Sequence, residues 1–190
     1  TAPVLVAMMS FYSMNAIDIF IWTLVFLFIL KLQKENRPIS WITLGVVLGI
    51  GLLNKISVLF LGAGIFVSLV ITSRDVFKTR WPYIAGLIAF TLFLPYVLWN
   101  AANDWAHLEF IHNASAGKYS GRSPLDFAAE QFLNMNPMAV PLWLGGLLAL
   151  FFYKPLQSYK SFAWIYTTAF VILVLNRTSK GEYLSPAYVG

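Results

Sequence analysis

Long apolar runs are the feature that most narrows what this chain can fold into. Residues 83–99 carry no charged side chain, and residues 17–32 carry only Asp18 and Lys31, one near each end. Runs of this length are typical of helices that cross a bilayer, which need ~20 predominantly apolar residues. Only 11% of the residues are charged, whereas soluble domains average ~25%. The sequence therefore predicts a membrane protein, and its spans should be helical because lipid offers the backbone no hydrogen-bond partners.

Charge distribution and cysteine content argue against nucleic-acid binding and against sites built from cysteine. The net charge of +5 is spread over several short loops without a dense basic patch, which indicates membrane orientation rather than nucleic-acid binding. The chain has no cysteine, so the sequence predicts neither a disulfide framework nor a thiolate metal site. It starts inside an apolar run without an initiator Met and ends without a terminal domain, so we expect a fragment of a longer polytopic protein.

Basic loops set the predicted orientation. The loops at 31–38, 74–80 and 154–160 are all basic, and the positive-inside rule therefore makes them cytoplasmic. The apolar stretch 39–72 between the first two is too long for one span. Two loops on the same face require an even number of crossings between them. This stretch is therefore predicted to be a helical hairpin, with residues 54–55 at its outer tip.

The resulting fold class is an all-α, polytopic transmembrane bundle that forms a single domain, with about six spans and a truncated one. The predicted spans are 1–12 (partial), 16–32, 39–53, 56–72, 82–99, 137–153 and 162–176. Residues 100–136 form a long outer loop. Within it, 124–133 is predicted to be an amphipathic helix that can lie on the membrane surface through Leu125, Phe127, Ala128 and Phe132.

This topology distributes the eight carboxylates unevenly. Glu35 and Asp75 lie beside the cytoplasmic loops. The other six are predicted to lie on the outer face: Asp18, Asp104, Glu109, Asp126, Glu130 and Glu182. The outer face is therefore where we expect chemistry or ligand binding.

Two charged residues near the predicted outer ends of spans are the first candidates. Lys55 is a lysine in an otherwise apolar hairpin; it can snorkel from a helix end, or it can meet a lipid-borne phosphate at membrane depth. Asp18 can cap its helix. Asn15 can cap instead, and Asp18 is then free for a ligand, a metal or a cation.

Two polar segments supply further candidates. In the outer loop, Asp104, His107, Glu109 and His112 include metal-ligand types, and three of them share a face if the segment is helical; a solvated helix after a span is the alternative. In the tail, Arg177 and Lys180 lie on the predicted outer side, against the orientation rule, which favours anion binding.

Small residues in the hairpin are interpreted as packing positions. Gly45, Gly49 and Gly51, with Gly62 and Gly64, would allow close helix contact across the hairpin. The sequence has no Gly-rich phosphate loop, nucleophile elbow or paired zinc motif. Nucleotide chemistry of the soluble type is therefore not expected.

Five segments together carry a family resemblance. They are Asp18 at a helix head, Gly45-Val-Val-Leu-Gly-Ile-Gly-Leu-Leu-Asn-Lys55-Ile-Ser, Leu94-Pro-Tyr-Val-Leu-Trp-Asn100 with Asp104-Trp105, Met135-Asn-Pro137, and Ser179-Lys-Gly-Glu-Tyr183-Leu-Ser-Pro-Ala-Tyr188. In this order they resemble bacterial family 39 glycosyltransferases, relatives of the dolichyl-phosphate-mannose–protein mannosyltransferases and of the lipid A aminoarabinose transferase. The resemblance covers essentially the whole chain.

The resemblance implies a GT-C membrane fold and a glycosyltransferase of the bacterial inner membrane. Such an enzyme takes a sugar from a polyprenyl-phosphate carrier and transfers it to an extracytoplasmic acceptor in the cell envelope, which is a lipid, a glycan or a protein. No nucleic acid is expected as a partner. The need for a divalent metal ion is left open, and no other cofactor is expected. The family's catalytic aspartate lies in an outer loop before residue 1, so the resemblance implies that this segment alone is inactive.

The resemblance also implies roles for particular residues. Asp18 matches an outer-face aspartate near the reacting centre or its metal, and is the catalytic candidate. Lys55 matches a hairpin lysine for the carrier phosphate, and Lys180 and Tyr183 match a tail motif near the same head group. Asp104, His107 and Glu109 fall in the loop that should face the acceptor. Glu182 stands where the family commonly has an aromatic residue.

Two other classes of protein fit parts of the pattern. A secondary transporter or lipid-linked sugar flippase also has broken helices and Gly-rich spans, but no inverted repeat is visible in the sequence. A membrane scaffold without a site would leave the outer lysines unexplained.

Overall fold

The computed structural model of the protein describes residues 2–116, 123–176 and 179–189. Within these ranges the chain is helical without strands, which confirms the all-α prediction. The α-helices are α1 (Pro3–Met9), α2 (Met14–Glu35), α3 (Pro38–Asn54), α4 (Val58–Thr72), α5 (Trp81–Ala102), α6 (Ala106–Ala116), α7 (Pro124–Asn134), α8 (Val140–Phe152) and α9 (Lys160–Leu175). Short 3₁₀ segments lie at Arg74–Lys78, Pro137–Ala139, Lys154–Tyr159 and Gly181–Val189.

Local sequence explains where the helices begin. Ser13 caps α2, because its side chain accepts a hydrogen bond from the Asn15 N–H at 3.3 Å. Proline occupies the first turn of α3, α5, α7 and α8, where its missing N–H leaves no helical hydrogen bond unmade. α7 also has a capping box, in which Ser123 and Asp126 each accept a hydrogen bond from the other's backbone N–H. These signals set the helix starts independently of tertiary packing.

Helix pairing differs from the predicted hairpin. α3 packs chiefly on α5, and α4 packs chiefly on α9, whereas α3 and α4 touch little beyond their junction. Gly45 faces the backbone of Ala85 and Gly49 faces Ala89, so α3 and α5 run parallel. Gly64 faces Ile165 of α9. The prediction of packing across the hairpin is therefore wrong for Gly45, Gly49 and Gly64, which bring α3 and α4 against more distant helices. Gly51 does face Val58 at the start of α4, and also Ile21 of α2, whereas nothing lies within 4 Å of a Cβ at Gly62.

The core lies around α2. Trp22, Val25 and Phe26 are buried there, against residues of α3, α4 and α9 such as Leu44, Leu61 and Ile165. The outward faces are also apolar, with large side chains exposed on α5, α8 and α9, for example Leu87, Leu142 and Leu175. An apolar surface of this extent on a packed helical bundle is what lipid solvates.

Helix lengths only partly match the predicted spans. Three stretches are long and apolar enough to cross a membrane: Met14–Glu35, Trp81–Ala102 and Lys154–Leu175. α7 and the stretch Pro137–Phe152 would together make a fourth, but they meet at 91°. α3 and α4 are shorter apolar helices. The division into six crossings stays a prediction.

α7 meets α8 nearly at a right angle, as a surface helix does beside a crossing one. Leu125, Phe132 and Leu133 are exposed on α7. Phe127 is buried and packs on Phe170 of α9. The prediction that Phe127 lies on the membrane surface is therefore wrong, because this ring anchors α7 to the bundle.

The three loops that were predicted to be cytoplasmic lie at one end of the bundle. Gln33, Thr79 and Ser158, one from each loop, line the same cavity. At the other end, the start of α2 meets the α3–α4 junction and the tail segment Gly181–Val189. The candidate residues Asp18, Lys55 and Tyr183 meet at this second end.

Candidate active site

Lys55 lies in the break between α3 and α4. Its backbone is extended, with a φ of −157°, and its N–H donates to the Gly51 carbonyl that closes α3. The chain turns again at once, since the Lys55 carbonyl accepts from the Val58 N–H at 3.1 Å. This break points the side chain toward the first turns of α2 instead of along α3.

The ammonium group of Lys55 has three partners there. Its Nζ lies 3.2 Å from Asp18 Oδ2 and donates to Asn15 Oδ1 at 3.0 Å. It also lies over the ring of Tyr183, at 5.4 Å from the centroid, which is within range of a cation–π interaction. The side chain is only 15% exposed. A snorkelling lysine would instead extend its ammonium into water, so that interpretation is wrong.

Asp18 is the buried partner of Lys55. It is 1% exposed and sits in the second turn of α2, too far along the helix to cap it. Its Oδ2 also accepts from Ser57 Oγ at 3.2 Å. Ser13 is the cap of α2, so both capping interpretations, by Asp18 and by Asn15, are wrong.

One oxygen of this carboxylate remains available. Asp18 Oδ1 is buried and accepts no hydrogen bond from the described residues. The Trp22 indole, one turn further along α2, interacts with the carboxylate, but its Nε1 lies outside hydrogen-bond geometry. Removing a charge from water is expensive unless it is paired, and here Lys55 supplies that pairing.

The tail reaches this site because α7 anchors it. The Gly181 N–H donates to Glu130 Oε2 at 2.9 Å, and Gln131 Nε2 donates to the Gly181 carbonyl at 3.2 Å. Tyr188 OH donates to Gln131 Oε1. A side chain on residue 181 would meet Glu130 Oε2 at 2.5 Å, so glycine is what allows this approach. The segment that follows Gly181 lays Tyr183 over Lys55.

The charged residues of the tail, Lys180 and Glu182, are more exposed. Lys180 Nζ lies 3.6 Å from Glu182 Oε1, and both side chains are partly exposed, at 30% and 40%. Such partly exposed pairs contribute little stability. Burial raises the pKa of Tyr188, so this phenol stays a hydrogen-bond donor at neutral pH. Arg177, the other tail cation, lies outside the described residues.

The outer-loop candidates lie apart from Lys55. Asp104 and Trp105 have φ values of 51° and 57° and form the turn that precedes α6. Asp104 is therefore not helical, and the prediction that it shares a helix face with His107 is wrong. Asp104 and Glu109 are exposed. Among the described residues, no three His, Asp, Glu or Cys side chains converge as a metal site would require.

His107 is held by the end of α5. Its backbone N–H donates to Asn100 Oδ1 at 3.1 Å, and Asn100 is 2% exposed. The imidazole contacts the Tyr96 ring edge-on at 5.9 Å between centroids. Its Nε2 is buried and has no hydrogen-bond partner among the described residues. None of the described contacts joins Asp104, His107 or Glu109 to the Asp18–Lys55 pair.

Sequence reasoning missed four residues that build the site. Asn15 was considered only as a cap, and Ser57, Glu130 and Gln131 were not singled out for the site. Ser57 follows Lys55 by two residues, which is a signal that could have been used. Gln131 is a polar residue with 0% exposure on the inward face of α7. The hydrophobic periodicity of the sequence predicts that inward face, but it does not predict that Gln131 bonds to the tail.

Comparison with known proteins gives one match. A family model described as dolichyl-phosphate-mannose-protein mannosyltransferase matches residues 1–99. The matched region includes Asn15, Asp18, Lys55 and Ser57, and it excludes the outer loop and the tail. No curated protein and no solved structure matches the chain.

Proposed function

The chain belongs to the dolichyl-phosphate-mannose-protein mannosyltransferase family and is thus a membrane glycosyltransferase at the level of the family; on that premise we propose its donor, acceptor and site. The donor is a sugar on a polyprenyl-phosphate carrier in a bacterial inner membrane. The acceptor is a lipid, glycan or protein of the cell envelope. The reaction takes place on the extracytoplasmic face, at the end of the bundle that holds Lys55.

The ammonium of Lys55 is the observation that carries this proposal. An ammonium group has three donors, and Asp18 and Asn15 accept two of them. The third can donate to a phosphate oxygen. During transfer the bond from the sugar to the carrier phosphate breaks and the phosphate leaves with the electron pair, while the acceptor hydroxyl loses its proton to a base and its oxygen bonds to the sugar. A fixed cation stabilises the charge that develops on that leaving group.

Asp18 acts in this proposal as a positioning residue. It is 1% exposed and lies behind Lys55, so it holds the ammonium group in position instead of touching the acceptor. Its carboxylate also offsets one positive charge, so that the empty site is close to neutral. Tyr183 covers the ammonium from the tail side, and Lys180 provides a second cation for the same phosphate.

The outer loop is assigned to the acceptor. Asp104 and Glu109 are exposed, and His107 is fixed by Asn100. An exposed, acidic segment at the end of α5 favours an acceptor that carries hydroxyl or amino groups. A divalent ion between this loop and the carrier phosphate is compatible with the proposal and is not required by it.

The test is transfer of radiolabelled sugar from a polyprenyl-phosphate pool in membranes that contain the full-length protein. Lys55→Ala is expected to lower transfer by roughly 10²–10³-fold, the usual effect of removing one group that stabilises a developing oxyanion. Lys34→Ala, an exposed lysine at the opposite end of the bundle, is the matched control and should leave transfer unchanged.

Folding is checked separately by the amount and the thermal stability of each variant in detergent. Wild-type transfer by Lys55→Ala would overturn the phosphate role. If no sugar is transferred but labelled carrier crosses the bilayer in vesicles, the alternative of a lipid-linked sugar flippase replaces the transferase.

A further inference from the structure

The loop end of the bundle, opposite Lys55, contains a cavity of about 570 Å³. It lies between α2, α4 and the start of α9, and the 3₁₀ segment Arg74–Lys78 contributes to its wall. This volume is within the range of small-molecule sites, roughly 300–1,000 Å³. No residue of the Asp18–Lys55 site lines it, so it is a separate feature of the molecule.

The inner part of the cavity is apolar with two hydroxyl groups. Trp41, Leu44 and Ile165 form the buried wall, and Ser68 and Ser161 lie among them at 1% and 5% exposure. Ser161 Oγ accepts a hydrogen bond from Gln33 Nε2. Ser68 Oγ is buried and has no partner among the described residues.

The missing partner of Ser68 is unusual for its position. A serine inside a helix commonly donates to the carbonyl one turn earlier, as Thr72 in the same helix does to the Ser68 carbonyl at 2.8 Å. A buried hydroxyl without a hydrogen bond costs about 1–3 kcal/mol. A group that enters the cavity and bonds to Ser68 would recover that energy.

The mouth of the cavity is polar but nearly uncharged. Its neutral polar residues are Gln33, Asn36, Thr72, Ser73, Thr79, Gln157 and Ser158. Asp75 is the one charged lining residue among those described, and it already pairs with Lys78 at 2.7 Å. Neither a cationic nor an anionic group would find an opposite charge inside. Hydroxyl and amide side chains instead match a ligand that both donates and accepts hydrogen bonds.

We propose that this cavity binds a neutral, hydroxyl-rich group, carried either by a phospholipid headgroup or by a free polyol, with one hydroxyl on Ser68. The position favours a headgroup, because the basic loops surround the mouth and the bundle surface beside it is apolar. A lipid phosphate can stay at the rim near Arg37 and Lys34 while its headgroup enters. This inference does not depend on the sugar-transfer proposal.

Phosphatidylglycerol and phosphatidic acid make a sharp pair of probes. Both carry an anionic phosphate, and only the first carries a glycerol on it. The full-length protein is purified in detergent, incubated with equal amounts of the two lipids, and examined by native mass spectrometry. We expect several-fold greater retention of phosphatidylglycerol, whereas attraction by the basic loops alone would retain phosphatidic acid at least as well.

Ser68→Ala removes the hydroxyl and adds no atom to this buried position, so it should fold. It is expected to reduce the preference for phosphatidylglycerol about fivefold, the effect of one hydrogen bond. Thr43→Val is the matched control, because Thr43 bonds to its own helix and does not line the cavity. Its preference should equal that of the wild-type protein.

Competition with free glycerol and free hexose separates the two sources of the ligand. Displacement of phosphatidylglycerol at millimolar polyol would assign the cavity to a soluble ligand, and no displacement would assign it to a lipid; both support the hydroxyl-rich class. Equal retention of the two lipids, or an unchanged preference in Ser68→Ala, would overturn the proposal.

Discussion

Asp18 and Lys55 come from different helices and form one buried ion pair. The sequence identifies both as candidates, because a charge beside an apolar run requires a reason. It does not reveal the pairing, because Ser13 takes the cap of α2 and the break at Lys55 decides where the side chain points. Asn15 and Ser57, which complete the pair, carry ordinary polar side chains that stand out only when their distances are known. The sequence therefore identified Asp18 and Lys55 as candidates, and only the tertiary structure showed that they form an ion pair.

The pair makes a prediction that separates stability from activity. Lys55→Met leaves the buried Asp18 carboxylate without its cation, and we expect a loss of about 3 kcal/mol of unfolding free energy, the lower end for a broken buried pair. The double variant Asp18→Asn/Lys55→Met contains no unpaired charge, and it should recover most of that loss. Thermal unfolding in detergent measures both effects.

Sugar transfer should respond differently from stability in these two variants. It should stay low in Lys55→Met and in the double variant, since both lack the ammonium. Asp18→Asn should lower turnover more than Asp126→Asn, because Asp126 serves only the capping box of α7. Equal turnover in these two variants, or stability losses that simply add in the double variant, would contradict the coupled pair.

At the scale of the helices, the sequence predicts where helices form better than it predicts which helices pack together. Apolar runs, prolines at first turns and Ser123 mark where helices occur and begin. The glycines of α3 predict a close helix contact, but they do not indicate which helix lies opposite. For Gly45 and Gly49 that helix is α5, which no local pattern could indicate, since small residues admit any neighbouring backbone. For the same reason, the docking of the tail on α7 through Gln131 was not predictable.

Gly45→Ala tests the contact between α3 and α5. A Cβ at this position would lie 2.5 Å from the Ala85 carbonyl oxygen and 2.9 Å from its Cα, so α5 must shift away. We expect a loss of about 1–3 kcal/mol, as for other overpacked positions. Gly62→Ala is the control, because nothing lies within 4 Å of a Cβ there. It should be neutral, or stabilise by up to ~1 kcal/mol through helix propensity.

Thermal melting of the two variants in one detergent compares them directly. A Gly45→Ala protein as stable as Gly62→Ala would mean that α3 and α5 are not packed backbone to backbone. The wild-type protein sets the reference for both.

On the scale of the whole molecule, two ends with different chemistry emerge. One end gathers the basic loops around a neutral, polar cavity, and the other gathers Asp18, Lys55 and the tail. The positive-inside rule assigns the basic end to the cytoplasm. The sequence predicted that the basic loops share an end, because the positive-inside rule places all of them on one face. It could not predict the cavity, which arises from the spacing of α2, α4 and α9.

Cysteine labelling tests the orientation, and these 190 residues contribute no native cysteine. Lys78→Cys and Glu109→Cys place single thiols at exposed positions predicted to lie on opposite faces. In intact cells, an impermeant maleimide should label position 109, and it should label position 78 only after permeabilisation. The reverse pattern would move the Lys55 end to the cytoplasm and contradict an extracytoplasmic reaction.

The pairing of Asp18 with Lys55 also bears on how the protein enters its membrane. α2 is made before α3, and during synthesis it would present an acidic side chain to lipid with no counter-charge, at a cost of up to ~3 kcal/mol near the bilayer centre. α3 would carry the matching basic group at its own end. Insertion of the two helices as one unit cancels both charges before either meets acyl chains. The ion pair between Asp18 and Lys55 would therefore matter during membrane insertion as well as in the mature protein. It would require α2 and α3 to leave the insertion machinery together.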